Sequence, residues 1–275
     1  MQKLFANMFS RQPLEIIDGD YYYESAKFSH FESKESAKKD FVHIEDAWEQ
    51  KRKGEYYDVS VLCDKITSRI AEEGKPFIEI ACGTPMGIAP VILIKNPAIP
   101  CLITDLKANI INSCRYYINR RLPESNISLA CFNCQDMPIK DNSFDYVTGN
   151  QGLGFCACND DGFTLQAVHE VYRVLKFGGC YVGIENEYEH NEASAELLKW
   201  QQANLEYQDG FLKNKLTWKN IFETVGFKIE SSDKCTLRIT REMCFLNPND
   251  NNNCEKIVKF NSDLISMTTL FIVRK

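Results

Sequence analysis

Residues 77–87, FIEIACGTPMG, join an apolar segment to a turn of small residues. The acid Glu79 stands inside the apolar part, and the small residues Ala81–Thr84 follow it directly. A structural turn needs only one glycine, whereas a run of small residues lets the backbone come close to another molecule. The stretch therefore predicts a buried strand whose carboxyl end leads into a ligand-binding turn.

Apolar strands alternate with helical segments downstream of this stretch. Residues 61–73 have the apolar spacing of an amphipathic helix, which Gly74 and Pro76 end. The predicted strands cover residues 77–81, 101–106, 127–133, 144–150, 180–186, 228–233 and 267–275. Apolar strands that alternate with helices are typical of parallel strands covered on both faces. We therefore predict an α/β fold with a doubly wound, mostly parallel sheet of seven strands.

The two ends of the chain differ in composition from this alternating part. Residues 1–60 contain many aromatic side chains at roughly helical spacing, and we expect an N-terminal helical lid or substrate segment without a strong strand. The alternative is that these rings only cover the outer face of the domain. Residues 61–275 form the predicted main domain, with an insertion at about 234–263 that contains the polar run NPNDNNNCEK.

Composition excludes several classes of function and location. The formal charge is −6, from 32 basic and 38 acidic side chains, so a nucleic-acid partner is not expected. Many of the 12 cysteines lie in apolar segments, where a free thiol behaves as a small hydrophobic group. The sequence shows no secretory signal and no segment long enough to span a membrane. We expect a cytoplasmic protein without a membrane partner.

Polar side chains stand where the predicted strands end. They are Asp105 after the second strand, Asn133 after the third, Asn150 after the fourth and Glu185 after the fifth. Ligands of open α/β sheets bind at the carboxyl ends of the strands. A carboxylate such as Asp105, about 20–30 residues after a small-residue turn, is placed to accept hydrogen bonds from ribose hydroxyls. The pattern predicts a pocket for a nucleoside with a polar tail.

A dinucleotide is the first alternative for this pocket. The pyrophosphate fingerprint is G-x-G-x-x-G, but the turn reads A-C-G-T-P-M-G, and Ala81 and Pro85 break the pattern. The broken glycine pattern and the downstream segment PIKDNSFD together argue against a nucleotide-cofactor oxidoreductase of Rossmann type.

Several motifs occur in the order found in one enzyme family. They are EIACGTPMG at the first strand, LITDLKANII at the second, NCQDMPIKDNSFDYV between the third and fourth, and HEVYRVLKFGGCYVGIE before the fifth. With these motifs, residues 60–235 resemble the class I S-adenosylmethionine-dependent methyltransferases. The resemblance implies a Rossmann-like methyltransferase fold, S-adenosyl-L-methionine as cofactor and methyl transfer as the reaction.

The resemblance also implies which residues contact the cofactor. Glu79 would order the first turn, Asp105 would hold the ribose, Leu106 would lie against the adenine, and Asn150 would lie near the methyl group. The full set implied for cofactor binding is Glu79, Ala81, Cys82, Gly83, Thr84, Asp105, Leu106, Asn133, Cys134, Asn150 and Gln151. This chain departs from the family pattern at Ala81 and Pro85, where glycine is usual, and at Asn133, where aspartate is usual.

The sequence does not identify a catalytic residue. Methyl transfer from a sulfonium depends mainly on alignment of the nucleophile, which can contribute about 7–11 kcal/mol, and it needs a base only when the nucleophile carries a proton. The candidates for such a role are Glu185, His190, Tyr22 and Tyr57. Tyr21, Tyr23 and Tyr56 are further candidates for contact with the acceptor.

Two questions stay open at this level. The first is function: we predict transfer of a methyl group to oxygen or nitrogen of a small-molecule acceptor, and the alternative is a non-catalytic S-adenosylmethionine-binding or regulatory protein. The second is metal binding by Cys131-x-x-Cys134 with Cys156-x-Cys158. We predict no metal, because residues three apart on a strand point to opposite faces and Cys134 is already assigned to the adenine. The sequence leaves the acceptor and the oligomeric state undetermined.

Overall fold

The computed structural model describes residues 3–23, 57–83, 87–156, 161–188, 191–204, 217–239, 242–246 and 255–275. The helices are α1 (Lys3–Ala6), α2 (Tyr57–Glu73), α3 (Ala89–Lys95), α4 (Ala108–Arg121), α5 (Gly152–Cys156), α6 (Asp161–Val174), α7 (Glu192–Ala203) and α8 (Trp218–Val225). The strands are β1 (Glu15–Ile17), β2 (Asp20–Tyr22), β3 (Phe77–Glu79), β4 (Cys101–Asp105), β5 (Ile127–Cys131), β6 (Phe144–Asn150), β7 (Leu175–Tyr188), β8 (Lys228–Ile239), β9 (Glu242–Leu246), β10 (Glu255–Lys259) and β11 (Leu264–Arg274).

The main sheet has the strand order β1-β2-β5-β4-β3-β6-β7-β11-β8 in the described part of the chain. The strands from β5 to β7 are parallel to one another, and β11 is antiparallel to both β7 and β8. The doubly wound, mostly parallel α/β fold is therefore confirmed, and each of the seven predicted strands is present. The sheet has nine strands rather than seven, because a hairpin extends it beyond β5.

Helices cover both faces of this sheet. One apolar cluster joins α2, α3 and α4 to one face, with Ile66, Ile92 and Ile111 among its members. The other joins α6 and α8 to the opposite face, with Val171 and Phe222 among its members. Alternating strand residues enter alternate clusters, as in a sheet that is buried on both sides. The carboxyl ends of the parallel strands are then the place where a ligand can reach the sheet.

The N-terminal segment differs from the predicted helical lid. Residues 3–23 form the short helix α1 and the hairpin β1–β2, and β2 pairs in parallel with β5. Asp18 and Gly19 both have positive φ, 52° and 87°, in the two-residue turn between the strands. Asp-Gly is a strong hairpin signal, because both positions of such a turn favour residues that adopt positive φ. The remaining residues of the predicted lid, 24–56, lie outside the described ranges.

The hairpin is part of the hydrophobic core. Tyr22 is almost fully buried, and Phe9 stacks on Tyr23 with ring centroids 4.9 Å apart. The buried carboxylate of Asp20 forms an ion pair with Arg115 of α4, and Arg115 Nε also donates to Asp20 Oδ2 over 3.2 Å. Phe5 is fully buried against Phe144. These contacts fix the hairpin to the sheet, so residues 3–23 belong to the main domain.

Two element boundaries predicted in the second half of the chain differ from those in the structure. Strand β8 continues to Ile239 and pairs with β11 along its length, so residues 234–239 belong to the sheet and not to the insertion. The following segment contains β9 and β10, which form a separate antiparallel pair. Strand β7 starts at Leu175, earlier than the predicted start at residue 180, and the β6–β7 register shifts within this stretch.

In the portion of the chain that the structure describes, we find no helix with the length and apolarity needed to cross a membrane.

Replacing Asp20 tests the docking of the hairpin. Asp20→Ala leaves the partly buried Arg115 without its carboxylate, and we expect the free energy of unfolding to fall by about 1–3 kcal/mol. Urea denaturation measures this change. Arg11→Ala is the matched control, because it removes the exposed ion pair with Asp136 and should cost no more than about 1 kcal/mol. Equal losses in the two variants would contradict the docking role of Asp20.

Candidate functional site

Glu79 is a fully buried acid at the end of the central strand β3. Its Oε1 accepts a hydrogen bond from the N–H of Ile88 over 3.3 Å, and its Oε2 accepts from the N–H of Ala89 over 3.1 Å. The Thr148 hydroxyl of β6 also donates to Oε2. The carboxyl group therefore caps the start of α3 and ties the turn after β3 to the neighbouring strand.

Burial raises the pKa of Glu79 to about 8, although these hydrogen bonds act in the opposite direction. The Thr148 hydroxyl lies 3.3 Å from the Ile78 carbonyl oxygen as well as close to Glu79. The Thr148 hydroxyl can therefore accept a hydrogen bond from a protonated Glu79 while it donates one to the Ile78 carbonyl oxygen. The Glu79 carboxyl group therefore has hydrogen-bond partners in either protonation state.

Gly87 leaves the space that the Glu79 carboxyl group occupies. A Cβ atom built on Gly87 would lie 1.9 Å from Glu79 Oε1, and the residue has a positive φ of 60°. Both constraints select glycine. The predicted role of Glu79 in ordering the turn corresponds to these contacts, but the sequence pattern did not indicate Gly87 or Thr148 as its partners.

The turn after β3 connects directly to the end of β4. The N–H of Gly83 donates to Asp105 Oδ2 over 2.9 Å, and the N–H of Lys107 donates to Asp105 Oδ1 over 2.9 Å. Ala81 and Gly83 have positive φ, 44° and 56°. Alanine thus adopts, at some cost in strain, the left-handed conformation for which glycine is favoured. Thr84 and Pro85 lie outside the described residues.

Asp105 has a nearly buried carboxylate at this edge, and burial raises its pKa above the usual range. The adjacent Leu106 is 51% exposed, so this edge also presents apolar surface. Asn133, at the end of β5, accepts a hydrogen bond from the N–H of Gln135 over 3.0 Å through Oδ1. Carboxylate, apolar surface and amide therefore lie together at the ends of neighbouring strands.

Cys82 is buried beneath the turn, with its Sγ atom 3.7 Å from Sγ of Cys114 in α4. Burial raises the pKa of the Cys82 thiol well above its usual value. A neutral, buried thiol is a poor nucleophile, so Cys82 packs the turn and contributes its backbone to the edge.

The end of β6 supplies a second turn next to the first. Asn150 carries a buried Oδ1 atom without a hydrogen-bond partner in the described structure. Gln151 has a positive φ of 58°, and its N–H donates to the Ile184 carbonyl over 2.6 Å. Beside this turn, Glu185 is fully buried and accepts from Tyr181 Oη over 3.0 Å and from the N–H of Gly154 over 3.2 Å. Burial raises the pKa of Glu185 to about 8.

The DMPIKD part of the third motif is held by a pair of side chains on α6. Arg173 donates to both carboxyl oxygens of Glu170 over 2.7 Å and to the Met137 carbonyl over 3.0 Å. Glu170 in turn accepts from the N–H of Met137 over 2.7 Å. This part of the third motif is therefore fixed to the helix behind it.

The structure brings together some of the predicted site residues and separates others. Cys134 is buried and follows Asn133 at the end of β5. Tyr22 lies on β2, five strand positions from β7 in the sheet, and its hydroxyl faces Asn112 Oδ1 over 3.5 Å. Burial raises the pKa of Tyr22 to about 12. Tyr22 is thus not placed beside Asn150 or Glu185.

Tyr56 and His190 lie outside the described residues, and Tyr57 is described only as the first residue of α2.

The cysteines considered as metal ligands occupy different layers. Cys131 packs in the cluster with α2, α3 and α4, whereas Cys134 packs in the cluster with α6 and α8. Cys158 lies outside the described ranges. In the residues that the structure does describe, no group of three or more metal-ligating side chains occurs.

Comparisons with known proteins agree with this fold. The model of the ubiE/COQ5 methyltransferase family matches residues 61–207. Among solved structures, a putative methyltransferase from Bacillus halodurans C-125 superposes with a TM-score of 0.54 at 16% identity, covering 77% of this chain and 97% of that one. The YcgJ protein of Bacillus subtilis gives 0.51 at 14% identity, covering 76% and 98%. At these identities the two structures establish the fold alone.

A curated relative extends the comparison to sequence. The demethylmenaquinone methyltransferase of Geobacillus sp. (strain WCH70) is 28% identical over 114 residues, which are 42% of this chain and 46% of the relative. The chain thus spans about half the length of that relative. Because the family model covers more than half of the chain, the protein belongs to the ubiE/COQ5 methyltransferase family. The resemblance to class I methyltransferases is confirmed, and the oxidoreductase alternative is disfavoured.

Replacing Gly87 tests the packing of Glu79 against the turn. Gly87→Ala places a methyl group on the Glu79 carboxyl group and strains a backbone with positive φ, so the variant should lose more stability than backbone strain of about 1–3 kcal/mol alone would cause. Gly74→Ala is the matched control, because Gly74 has φ of 63° and a Cβ atom built on it meets no atom within 4 Å. Chemical denaturation of both variants gives the comparison. Similar losses would mean that the carboxyl contact is unimportant.

The raised pKa values of Glu79 and Glu185 predict a pH dependence of stability. Both groups have an ordinary value of 4.5 and a folded value of about 8, so the folded state binds more protons in this interval. Stability contributed by these groups is therefore highest below pH 4.5 and falls as pH rises towards 8. Glu79→Gln and Glu185→Gln cannot titrate, and the stability of each relative to wild type should rise with pH from 5 to 8. A pH-independent difference in denaturant midpoint would refute the buried-acid interpretation.

Proposed function

We propose that the chain is an S-adenosyl-L-methionine-dependent methyltransferase that transfers a methyl group to oxygen or nitrogen of a small-molecule acceptor. The observation that carries the proposal is the junction of Gly83 and Asp105 at the carboxyl edge of the sheet, within a chain of the ubiE/COQ5 family. This junction joins a turn with little side-chain bulk to a carboxylate, the combination suited to a nucleoside with a polar tail.

The residues present fit this cofactor. Asp105 offers carboxylate oxygens to ribose hydroxyls, and the exposed face of Leu106 offers apolar surface to the adenine. A Cβ atom built on Gly83 meets no atom of the described residues within 4 Å, so this part of the turn has room beside it for a ligand. The buried Oδ1 of Asn150 has no partner in the described structure, and an N–H or O–H group of a ligand would satisfy it.

The chain's own residues would contribute mainly by positioning. When bound, S-adenosyl-L-methionine would supply a methyl group on a sulfonium: the acceptor's nucleophile would bond to the methyl carbon in line while the carbon–sulfur bond breaks and S-adenosylhomocysteine leaves. Asp105, Leu106 and the turn of Ala81 to Gly83 would fix the nucleoside half, and Asn150 with Gln151 would border the reacting end. Alignment of this kind can account for about 7–11 kcal/mol of the barrier. Glu185 is fully buried, so it is not placed to take a proton from the acceptor.

The names of curated relatives indicate a further acceptor to test. They are demethylmenaquinone methyltransferases, so demethylmenaquinone should be tested beside oxygen and nitrogen acceptors, and transfer to it would form a carbon–methyl bond. The formal charge of −6 argues against a polyanionic acceptor such as nucleic acid. Without a general base among the described candidates, the site suits an acceptor that is already deprotonated or that releases its proton to solvent.

Calorimetric titration tests the cofactor site. We expect wild-type protein to bind S-adenosyl-L-methionine with a dissociation constant of micromolar order and not to bind NAD. Asp105→Ala removes the acceptor of the ribose hydroxyls and should weaken binding by at least about tenfold. Asp64→Ala is the matched control, since it removes an aspartate that is 72% exposed and pairs only on the surface with Lys95. It should leave the affinity unchanged.

Transfer of a labelled methyl group tests the reaction itself. Acceptors would include a demethylated quinol, phenols and amines of similar size, each incubated with the protein and labelled cofactor. Cofactor binding without transfer to any of them would support a non-catalytic binding protein instead. Absence of binding to wild type, or preference for NAD, would overturn the proposed function.

A further inference from the structure

The turn that follows β6 lies between the turn after β3 on one side and residues of β7 and α8 on the other, and it packs closely against both sides. Gly152 faces the first turn so closely that a Cβ atom built on it would lie 2.9 Å from Ala81 Cβ and 3.0 Å from the Ile80 carbonyl oxygen. On the other side, a Cβ atom on Gly154 would lie 3.3 Å from Glu185 Oε2 and 3.6 Å from the ring of Trp218. The backbone from Asn150 to Gly154 therefore has little freedom to move in either direction.

Glu185 is the polar group that fixes the outer side of this turn. Its carboxyl group accepts from the N–H of Gly154, and Tyr181 Oη donates to its other oxygen. The N–H groups at the start of a helix lack partners within that helix, and α5 begins at Gly152. Glu185 supplies a partner there. Because Glu185 is buried on β7, it links α5 to the sheet.

We infer that Glu185 is a positioning residue, which holds the turn from Asn150 to Gly154 against the cofactor turn and so sets the position of the methionine end of the ligand. This inference rests on the proposed function. A direct catalytic role is disfavoured, because the side chain has no exposed surface and both oxygens are engaged by protein groups. The effect on a ligand would pass through Gly154 to Asn150 and Gln151.

The position of Glu185 in the sheet predicts which half of the ligand it affects. The nucleoside half is assigned to Asp105 and Asn133, at the ends of β4 and β5, whereas β7 lies on the other side of β3 and β6. Loss of Glu185 should therefore weaken contacts with the amino-acid half and leave those with the nucleoside half intact. Two compounds separate these halves: S-adenosylhomocysteine contains both, and 5′-methylthioadenosine lacks the amino-acid part.

The test is calorimetric titration of wild type, Glu185→Ala and Glu185→Gln with each compound. We expect Glu185→Ala to weaken S-adenosylhomocysteine binding by about tenfold and to leave 5′-methylthioadenosine binding within about twofold of wild type. Glu185→Gln should restore most of the affinity, because its amide oxygen can still accept from the N–H of Gly154. Thr164→Val is the control for a substitution at another buried position, on α6. Within the described residues the buried Thr164 hydroxyl has no hydrogen-bond partner, so this substitution removes no hydrogen bond.

Tyr181→Phe provides a milder variant in case Glu185→Ala does not fold, as judged by circular dichroism. It removes one hydrogen bond to Glu185 and should weaken S-adenosylhomocysteine binding by about twofold to fivefold, with 5′-methylthioadenosine unaffected. Equal loss for both compounds in the folded variants, or no loss for either, would overturn the inference. Failure of wild type to bind either compound would instead count against the proposed function.

Discussion

The buried carboxyl group of Glu79 is the interaction on which the ligand-binding edge depends. It receives hydrogen bonds from the start of α3 and from Thr148 on the neighbouring strand, and it fills the space left by Gly87. Burying an acid is unfavourable unless its oxygens find partners. Here the partners are the N–H groups at the start of α3 and the Thr148 hydroxyl, and both must be in place for the turn to form. The turn can then present Gly83 to Asp105 with little side-chain bulk in between.

A second buried acid, on β7, has the same kind of role two strands away in the sheet. Glu185 engages the start of α5 as Glu79 engages the start of α3, and neither carboxyl group is exposed to a ligand. The edge is thus shaped by buried carboxyl groups that lie behind it.

The sequence predicted the sheet well because its strands are apolar and its motifs are local. The same reasoning failed at Tyr21–Tyr23, where aromatic residues fit both helices and strands, although Asp18-Gly19 carried a hairpin signal. Positions of polar residues at strand ends followed from topology. The partners of Glu79 and Glu185 did not, since Gly87, Thr148 and Gly154 meet these acids only after folding. Pairwise contacts between distant segments leave no periodic trace in a single sequence.

The hairpin at the N-terminal end of the sheet has a consequence for the behaviour of the protein at high concentration. Without it, β5 would expose a row of unpaired N–H and C=O groups along the margin of a parallel sheet, a template for pairing with another molecule. The hairpin replaces that margin with β1, a strand of three residues that begins with Glu15. A strand of only three residues offers few backbone groups to a neighbouring chain. Residues expected to form a helical lid or substrate segment therefore form a short margin on this side of the described sheet.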